Sequence, residues 1–323
     1  MSSRKKNAIL GFISSMGGST VIQLVSLFVI PLYLDLTSQE LFGLWLTLGA
    51  ILGWIKIGDM GIGLALTKRS VEALESNNYD LLRRLAYGAI LSTLIFGILI
   101  SGTGYLFTEN LVSMLKVSGD LENEFMATYH VLLFVAFIRP GFGAFGSLID
   151  AKQHIAFLHL RNTIVTLSSI ALTILLLLLD FGIVSFAYGL LFEAIIMPFI
   201  DIIYLKIIDN KIYLFPIKTS KKDIVSLLRF GGPFQVLKIA NLVSTSVDNI
   251  IIASILGASS VTIYVFTGKL AFLFAVFLVG IIPSILFPGV TQLFELGDKK
   301  KITNLYIKLS NIAIRSGLLM GSI

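Results

Sequence analysis

The sequence predicts an all-α fold, a polytopic transmembrane helix bundle of about nine helices. The 323 residues are 56% hydrophobic and 14% charged, and the mean hydropathy is +0.91. A typical soluble domain is about 45–50% apolar and about 25% charged. The charges stand in short clusters between apolar runs of roughly 20–28 residues, each long enough to cross a hydrocarbon core of about 30 Å. Continuous runs such as LTILLLLL at 172–179 favour helices over a β-barrel, whose strands alternate in polarity.

The limits of the helices follow from the apolar runs and the polar breaks between them. The predicted helices cover 8–33, 41–66, 86–108, 124–149, 156–179, 182–206, 226–256, 262–292 and 304–323. The first of them follows Arg4, Lys5 and Lys6, as a signal peptide would. Its apolar run is longer than the h-region of a signal peptide, however, and no small-residue cleavage pattern follows. We therefore interpret it as a retained transmembrane helix.

Basic residues are distributed asymmetrically among the connections. If the N-terminus is inside, the outer connections hold only Lys116. Short cytoplasmic loops of membrane proteins carry an excess of lysine and arginine, so this pattern predicts a cytoplasmic N-terminus. The basic residues assigned to the inner side are Arg4, Lys5, Lys6, Lys68, Arg69, Arg83, Arg84, Lys152, Arg161, Lys206, Lys211, Lys218, Lys221, Lys222, Arg229, Lys299, Lys300, Lys301 and Lys308.

The same composition excludes several classes of chemistry. The net charge is +6, but no basic run alternates with aromatic residues, so no nucleic-acid partner is expected. The chain has no cysteine and its three histidines form no metal-ligand cluster. A G-x-G-x-x-G pattern at 141–146 lies inside an apolar span without the strand–turn–helix context of a nucleotide site. We therefore expect no catalytic residues, no metal and no cofactor.

Cations inside the predicted helices are the first candidates for function. A charged group at mid-membrane costs about 2.5–3.5 kcal/mol on insertion scales, so it usually faces a water-filled cavity or an ionic partner. Lys56, Arg139 and Lys238 are the candidates that would line a cationic, substrate-binding cavity. Arg139 precedes Pro140, which removes a helical hydrogen bond and favours a bend beside the cation. The remaining intramembrane charges Lys269, Asp201 and Arg315 are interpreted as structural or interfacial.

Three carboxylates inside the predicted helices are candidates for ion coupling or ion pairing. Asp59 lies three residues after Lys56 on the same helical face, close enough to pair with it. Glu193 lies at mid-span, where it would pair with a cation of another helix or carry a transported proton. Asp248 follows a polar stripe at 244–246, which favours a wet interior over lipid.

Several short motifs resemble a known family. They are Pro-x-Tyr at the end of the first helix, Phe-Gly-x-Trp opening the second, Gly-Asp-x-Gly-x-Gly closing it, and Val-Asp at 247–248. With the segments 11–70 and 247–270 that contain them, these motifs resemble the polysaccharide flippases of the multidrug/oligosaccharidyl-lipid/polysaccharide exporter (MOP) superfamily, in its O-antigen (Wzx-type) branch.

The resemblance implies a MATE-like fold of two six-helix lobes around a central cavity. Residues 1–207 would form the first lobe, 208–225 a cytoplasmic linker, and 226–323 the start of the second lobe, with about three helices, which we expect to be incomplete.

The implied function is transport and not enzymatic catalysis. The chain would translocate a polyprenyl-pyrophosphate-linked oligosaccharide, such as an O-antigen or capsule repeat unit of lipopolysaccharide or polysaccharide biosynthesis, from the cytoplasmic to the outer leaflet of a bacterial inner membrane. Lys56, Arg139 and Lys238 would replace the hydration of the pyrophosphate. The implied partners are the lipid-linked oligosaccharide, the bilayer and the polysaccharide polymerase machinery.

Two alternative functions stay open at this point. A multidrug or cation antiporter of the same superfamily would need an apolar and aromatic cavity with carboxylates in place of several cations. A membrane-embedded polysaccharide polymerase would need a sizeable soluble loop or a surface catalytic cluster. The longest outer connection, 108–123, contains Glu109, Asp120 and Glu122 but no histidine or arginine, which disfavours the polymerase.

Overall fold

The computed structural model describes residues 3–55, 59, 61–117, 119–212 and 219–275, and helical residues at 303–304, 306–308, 310–311 and 314–315. All regular secondary structure in these residues is helical, which confirms the all-α prediction. The helices are α1 (Ser3–Leu36), α2 (Gln39–Ile55), α3 (Ile62–Glu75), α4 (Tyr79–Leu106), α5 (Thr108–Met114), α6 (Asp120–Ala151), α7 (Ile155–Leu178), α8 (Val184–Ile208), α9 (Lys221–Leu256) and α10 (Ala258–Ala275).

The chain forms two compact units, Met1–Thr262 and Ile263–Ile323. Within the described part of the second unit lie the C-terminal portion of α10 and the helical residues between 303 and 315. Most of the last two predicted helices, 262–292 and 304–323, lies outside the described residues. The division of the sequence into lobes at 207 and 226 stays a prediction.

Five of the described helices are long and apolar enough to cross a membrane. They contain the segments Ile13–Leu36, Tyr79–Leu106, Leu121–Ala151, Ile155–Leu178 and Lys221–Leu256. Each overlaps one of the predicted spans. The chain is therefore a multi-pass membrane protein, as its composition predicts.

The second predicted span, 41–66, is wrong as a single helix. It covers most of α2 and only the start of α3, and Gly61, directly before α3, has a left-handed backbone (φ 67°). Glycine adopts this conformation without steric penalty, and a helix cannot continue through it. Gly61 also lies against the backbone of Gly231 in α9, where a Cβ atom would overlap the Gly231 carbonyl. The break is therefore fixed by both its own backbone and the neighbouring helix.

Helix α6 lies at the centre of the first unit and packs against α3, α4 and α8, while α7 packs against α1 and α8. Helix α9 lies against α2, α3 and α4. An apolar core joins one end of these helices through Leu66, Leu85, Leu148, Ile149 and Leu227, each at most 1% exposed. This core holds α3, α4, α6 and α9 together beside the charged residues described below.

Gly43 of α2 allows a close approach of the N-terminus of α10. A Cβ atom at Gly43 would overlap the carbonyl of Ala258, and the Thr262 hydroxyl donates to the Gln39 carbonyl at 2.8 Å. We expect Gly43→Ala to destabilise the fold by about 1–3 kcal/mol, the usual cost of overpacking. The matched control is Gly17→Ala, since a Cβ atom at Gly17 of α1 would have no other atom within 4 Å. Thermal unfolding followed by size-exclusion chromatography measures both, and equal melting temperatures would contradict the tight α2–α10 contact.

Candidate functional site

A cavity of about 750 Å³ lies within the first unit, between α2, α3, α4, α6, α8 and α9. Its volume is that of a typical small-molecule site, which is about 300–1,000 Å³. Three of the predicted site residues line it: Asp59, Arg139 and Lys238. The other lining residues are Gly49, Gly53, Ile62, Gly63, Leu66, Ala89, Thr93, Val135, Ala136, Pro140, Gly143, Ala144, Ser147, Leu190, Asn241, Leu242 and Ser246.

Lys238 and Asp59 form an ion pair across this cavity. The Lys238 ammonium donates to both carboxylate oxygens of Asp59, at 2.8 Å to Oδ1 and 2.7 Å to Oδ2. Lys238 lies at the middle of α9, and Asp59 lies in the turn between α2 and α3. The Gly61 N–H also donates to Asp59 Oδ1 at 3.0 Å. The break in the second span therefore places a carboxylate where a continuous helix would not.

Arg139 and Glu193 form a second, looser pair. The Arg139 Nη2 lies 3.6 Å from Glu193 Oε2, beyond hydrogen-bond distance. The Glu193 side chain is 9% exposed and reaches from α8, whereas the Arg139 side chain is 43% exposed and lines the cavity. Arg139 is therefore accessible from the cavity, whereas its counter-ion is buried and is not among the lining residues.

Of the other predicted site residues, Lys56 lies outside the described residues, so the predicted Lys56–Asp59 pair cannot be placed. Asp248 is exposed on α9 and is not among the residues that line the cavity. Ser246, from the polar stripe before it, does line the cavity. Across the parts of the chain that the structure covers, no group of three histidine, aspartate or glutamate residues could hold a metal ion.

The cavity wall contains residues that were not among the predicted site residues. Gly49 and Gly143 line it, and a Cβ atom at either would have no other atom within 4 Å, so they leave open space. Asn241 and Leu242 follow Lys238 by three and four residues, and this spacing puts all three on one face of α9. The α9 part of the cavity wall was therefore predictable from the sequence, as the residues three and four positions after an intramembrane lysine.

Arg161 was assigned to an inner connection, and this assignment is wrong. It lies inside α7, where its Nη1 is 3.3 Å from Asp201 Oδ2 of α8. The two side chains are 13% and 4% exposed, so the pair is buried between helices. A Cβ atom at Gly146 of α6 would lie 3.4 Å from Asp201 Oδ2. The pair therefore connects α7 to α8 directly beside α6.

Asp209, just after α8, organises one end of the first unit. Its carboxylate accepts from the Lys152 ammonium, from the Tyr79 hydroxyl at 3.1 Å and from the Lys211 N–H at 3.0 Å. Burial acts to raise the pKa of Asp209. Four interactions together lower it by more: the hydrogen bond from Lys152, the hydrogen bond from the Lys211 N–H, the charge of Lys152 and the hydrogen bond from the Tyr79 hydroxyl. The resulting pKa is lower than that of an ordinary aspartate.

A lowered pKa links the stability of this end to pH. Because the folded state prefers the charged form, Asp209 contributes its full stabilisation at pH values above the unfolded-state pKa of about 3.9. This stabilisation is lost as the pH falls through the lower pKa of the folded state. We expect Asp209→Asn to lower the melting temperature by about 2–4 °C at pH 7. The difference from the parent should shrink below about pH 4. Melting curves of the parent and Asp209→Asn from about pH 7 to about pH 3 test this linkage. Asp80→Asn is the control, because it removes the carboxylate of an exposed pair. A difference in melting temperature that does not depend on pH would contradict the role of the Asp209 charge.

Comparison with known proteins agrees with this architecture. Residues 9–294 match a family described as polysaccharide biosynthesis protein. No curated protein has a significant sequence match to the chain. Among solved structures, a multidrug resistance MATE family transporter of the MOP superfamily is similar in its inward-facing conformation, with a TM-score of 0.66 and 16% identity over 99% of this chain and 69% of that one.

Two further structures have the same fold. The outward-facing conformation of a multidrug resistance MATE transporter has a TM-score of 0.64 and 17% identity over 98% of this chain and 71% of that one. A MOP superfamily transporter from Pyrococcus furiosus, described as having a binding pocket of reversed polarity that suggests a different function, has a TM-score of 0.62 and 16% identity, with coverage of 98% and 71%. These similarities confirm the predicted MATE-like helical fold.

Proposed function

Because the chain belongs to the polysaccharide biosynthesis protein family, as the sequence motifs predict, we propose that it is a flippase for an anionic lipid-linked oligosaccharide. The structural neighbours are transporters of the MOP superfamily, which together with the family supports a flippase or exporter in general. The proposed substrate is a polyprenyl-pyrophosphate-linked O-antigen or capsule repeat unit. The proposed movement is from the cytoplasmic to the outer leaflet.

The observation that carries this proposal is the pair of cations in one intramembrane cavity. Arg139 and Lys238 reach it from α6 and α9, and both side chains are partly exposed, at 43% and 40%. A pyrophosphate offers several anionic oxygens, which a guanidinium and an ammonium bind by charge-assisted hydrogen bonds. The glycine-lined wall beside them leaves room for sugar rings, while the polyprenyl tail would stay in the bilayer.

Orientation and mechanism belong to the same proposal. The basic connections support a cytoplasmic N-terminus in a bacterial inner membrane. Residues 1–207 and 226–323 would belong to two lobes, joined by the linker 208–225, that rock around the cavity. Asp59, Glu193 or Asp248 would couple this motion to an ion gradient. Polysaccharide polymerase machinery would receive the translocated product.

A multidrug or cation antiporter is the second candidate. The cavity contains the carboxylate of Asp59 beside its cations, and two of the structural neighbours are multidrug resistance transporters. Cationic dyes would then bind in the cavity and compete with protons. Saturable binding of such dyes, lost in Asp59→Asn and retained in Lys238→Ala, would favour the antiporter over the flippase.

Translocation in vesicles containing the whole protein tests the flippase. With a fluorescent polyprenyl-pyrophosphate oligosaccharide, we expect Arg139→Ala and Lys238→Ala each to lower the rate by about tenfold or more, because a hydrogen bond to a charged group contributes about 1.5–3 kcal/mol. Lys206→Ala is the matched control, since Lys206 is exposed in the last turn of α8. Transport at the parent rate in both cavity variants, at equal amounts of folded protein, would overturn the proposal.

A further inference from the structure

We propose that Asp59 is a selectivity residue: its carboxylate occupies Lys238 and so excludes singly charged anionic headgroups while admitting anions with several negative charges. This inference rests on the proposed function, because it assigns the preference of the same cavity. It explains what prevents the anionic phospholipids of the surrounding bilayer from binding to a cation inside the protein.

The geometry shows a lysine whose charge is already satisfied. Both oxygens of Asp59 accept from the Lys238 ammonium, at 2.7 and 2.8 Å. The carboxylate is itself held in place by the Gly61 N–H at 3.0 Å, in a turn fixed against Gly231. An incoming anion must therefore displace a preorganised, doubly bonded carboxylate from Lys238.

Charge decides which anions can do so. A phosphodiester with one negative charge would replace one anionic partner of Lys238 by another and leave Asp59 in the cavity without its cation, so the exchange brings no net gain. An anion with two or three charges that has bound Lys238 still has charge to offer to Arg139, which lines the same cavity. Arg139 is open to such a ligand because its side chain is 43% exposed, whereas its own counter-ion, Glu193, is 3.6 Å away and buried.

The unequal strength of the two pairs thus produces selectivity. The close pair at Lys238 makes binding unfavourable for an anion that only replaces Asp59. The loose pair at Arg139 leaves a second cation that binds the additional charge of a multiply charged ligand. Singly charged phospholipids are abundant at cytoplasmic membrane surfaces. A cavity with Lys238 uncompensated would bind their headgroups in competition with the substrate.

Two small probes that differ by one phosphate group test the proposal on the purified whole protein. These are farnesyl pyrophosphate and farnesyl monophosphate, with dissociation constants measured by calorimetry at pH 6, where the monophosphate is closer to a single charge. The parent should prefer the pyrophosphate by about tenfold or more, and Asp59→Asn should tighten monophosphate binding by about tenfold, as expected for one charge-assisted hydrogen bond gained by Lys238. Asp59→Glu, which keeps the charge, should retain the preference.

The controls separate the two proposals. Asp80→Asn neutralises the carboxylate of an exposed pair with Arg83 and should leave both constants unchanged. If the parent and Asp59→Asn have the same preference while Lys238→Ala weakens pyrophosphate binding, the selectivity role is overturned and the flippase stands. If the parent binds neither probe, both proposals are overturned. Should Asp59→Asn fail to fold, a parent preference below about twofold overturns the selectivity role by itself.

Discussion

Replacing Asp201 by asparagine is expected to lower the free energy of unfolding by about 3–5 kcal/mol, because it leaves a buried arginine without its counter-ion. The Arg161 side chain is only 13% exposed, and its Nη1 lies 3.3 Å from Asp201 Oδ2. A guanidinium does not lose its proton, so the variant cannot escape the penalty by becoming neutral. Since the pair joins α7 to α8 beside Gly146 of α6, we expect the loss to loosen all three helices.

Three variants measured by thermal or detergent-induced unfolding test this explanation. Asp201→Asn should be strongly destabilised, whereas the double variant Arg161→Met with Asp201→Leu should recover most of the loss, because an apolar pair of similar volume replaces a buried ion pair at little cost. Asp80→Asn, in an exposed pair, should change stability by less than about 1 kcal/mol. A double variant as unstable as Asp201→Asn would show that packing, and not charge, explains the effect.

This ion pair also illustrates what the sequence could predict. The apolar runs located α1, α4, α6, α7, α8 and α9, with ends at most seven residues from those observed, because bilayer thickness sets the length of a spanning helix. Arg161 was misplaced because it lies near the start of an apolar run, where basic residues usually mark a connection. Only the tertiary arrangement shows that Asp201, forty residues later in sequence, lies beside it.

The break between α2 and α3 was missed for a different reason. The residues from Ile51 to Leu66 are predominantly apolar, so hydropathy alone continues through them. The glycines in the motif Gly-Asp-x-Gly-x-Gly were the available signal, and the left-handed φ of Gly61 makes their role clear. The partner of Asp59 was equally hidden: Lys238 lies 179 residues away in sequence, and Lys56 was the nearer choice. Local spacing can identify intramembrane charges but cannot pair them across helices.

Filling the cavity at Gly143 or Gly49 is expected to stop translocation while the protein stays folded. Both glycines line the cavity and have open space where a Cβ atom would stand, so the first carbon of a new side chain meets no neighbour. The side chain would then occupy volume proposed for the sugar rings. We expect Gly143→Leu and Gly49→Leu each to reduce oligosaccharide transport by about tenfold or more, within the range of about 10–200-fold that one methylene group can cost in a fitted pocket.

The chain offers controls of the same chemical type. Gly17 of α1 and Gly102 of α4 also have open space within 4 Å of where a Cβ atom would stand, are exposed, and do not line the cavity. Leucine at either position adds the same side chain and the same helix propensity without entering the cavity. Vesicle transport should therefore fall for the cavity variants and stay at the parent rate for Gly17→Leu and Gly102→Leu. A shorter oligosaccharide should be less affected by the cavity leucines than a long one, because only steric exclusion depends on the size of the cargo. Equal inhibition at all four glycines would mean that leucine acts through helix packing and that this cavity is not the route of the glycan.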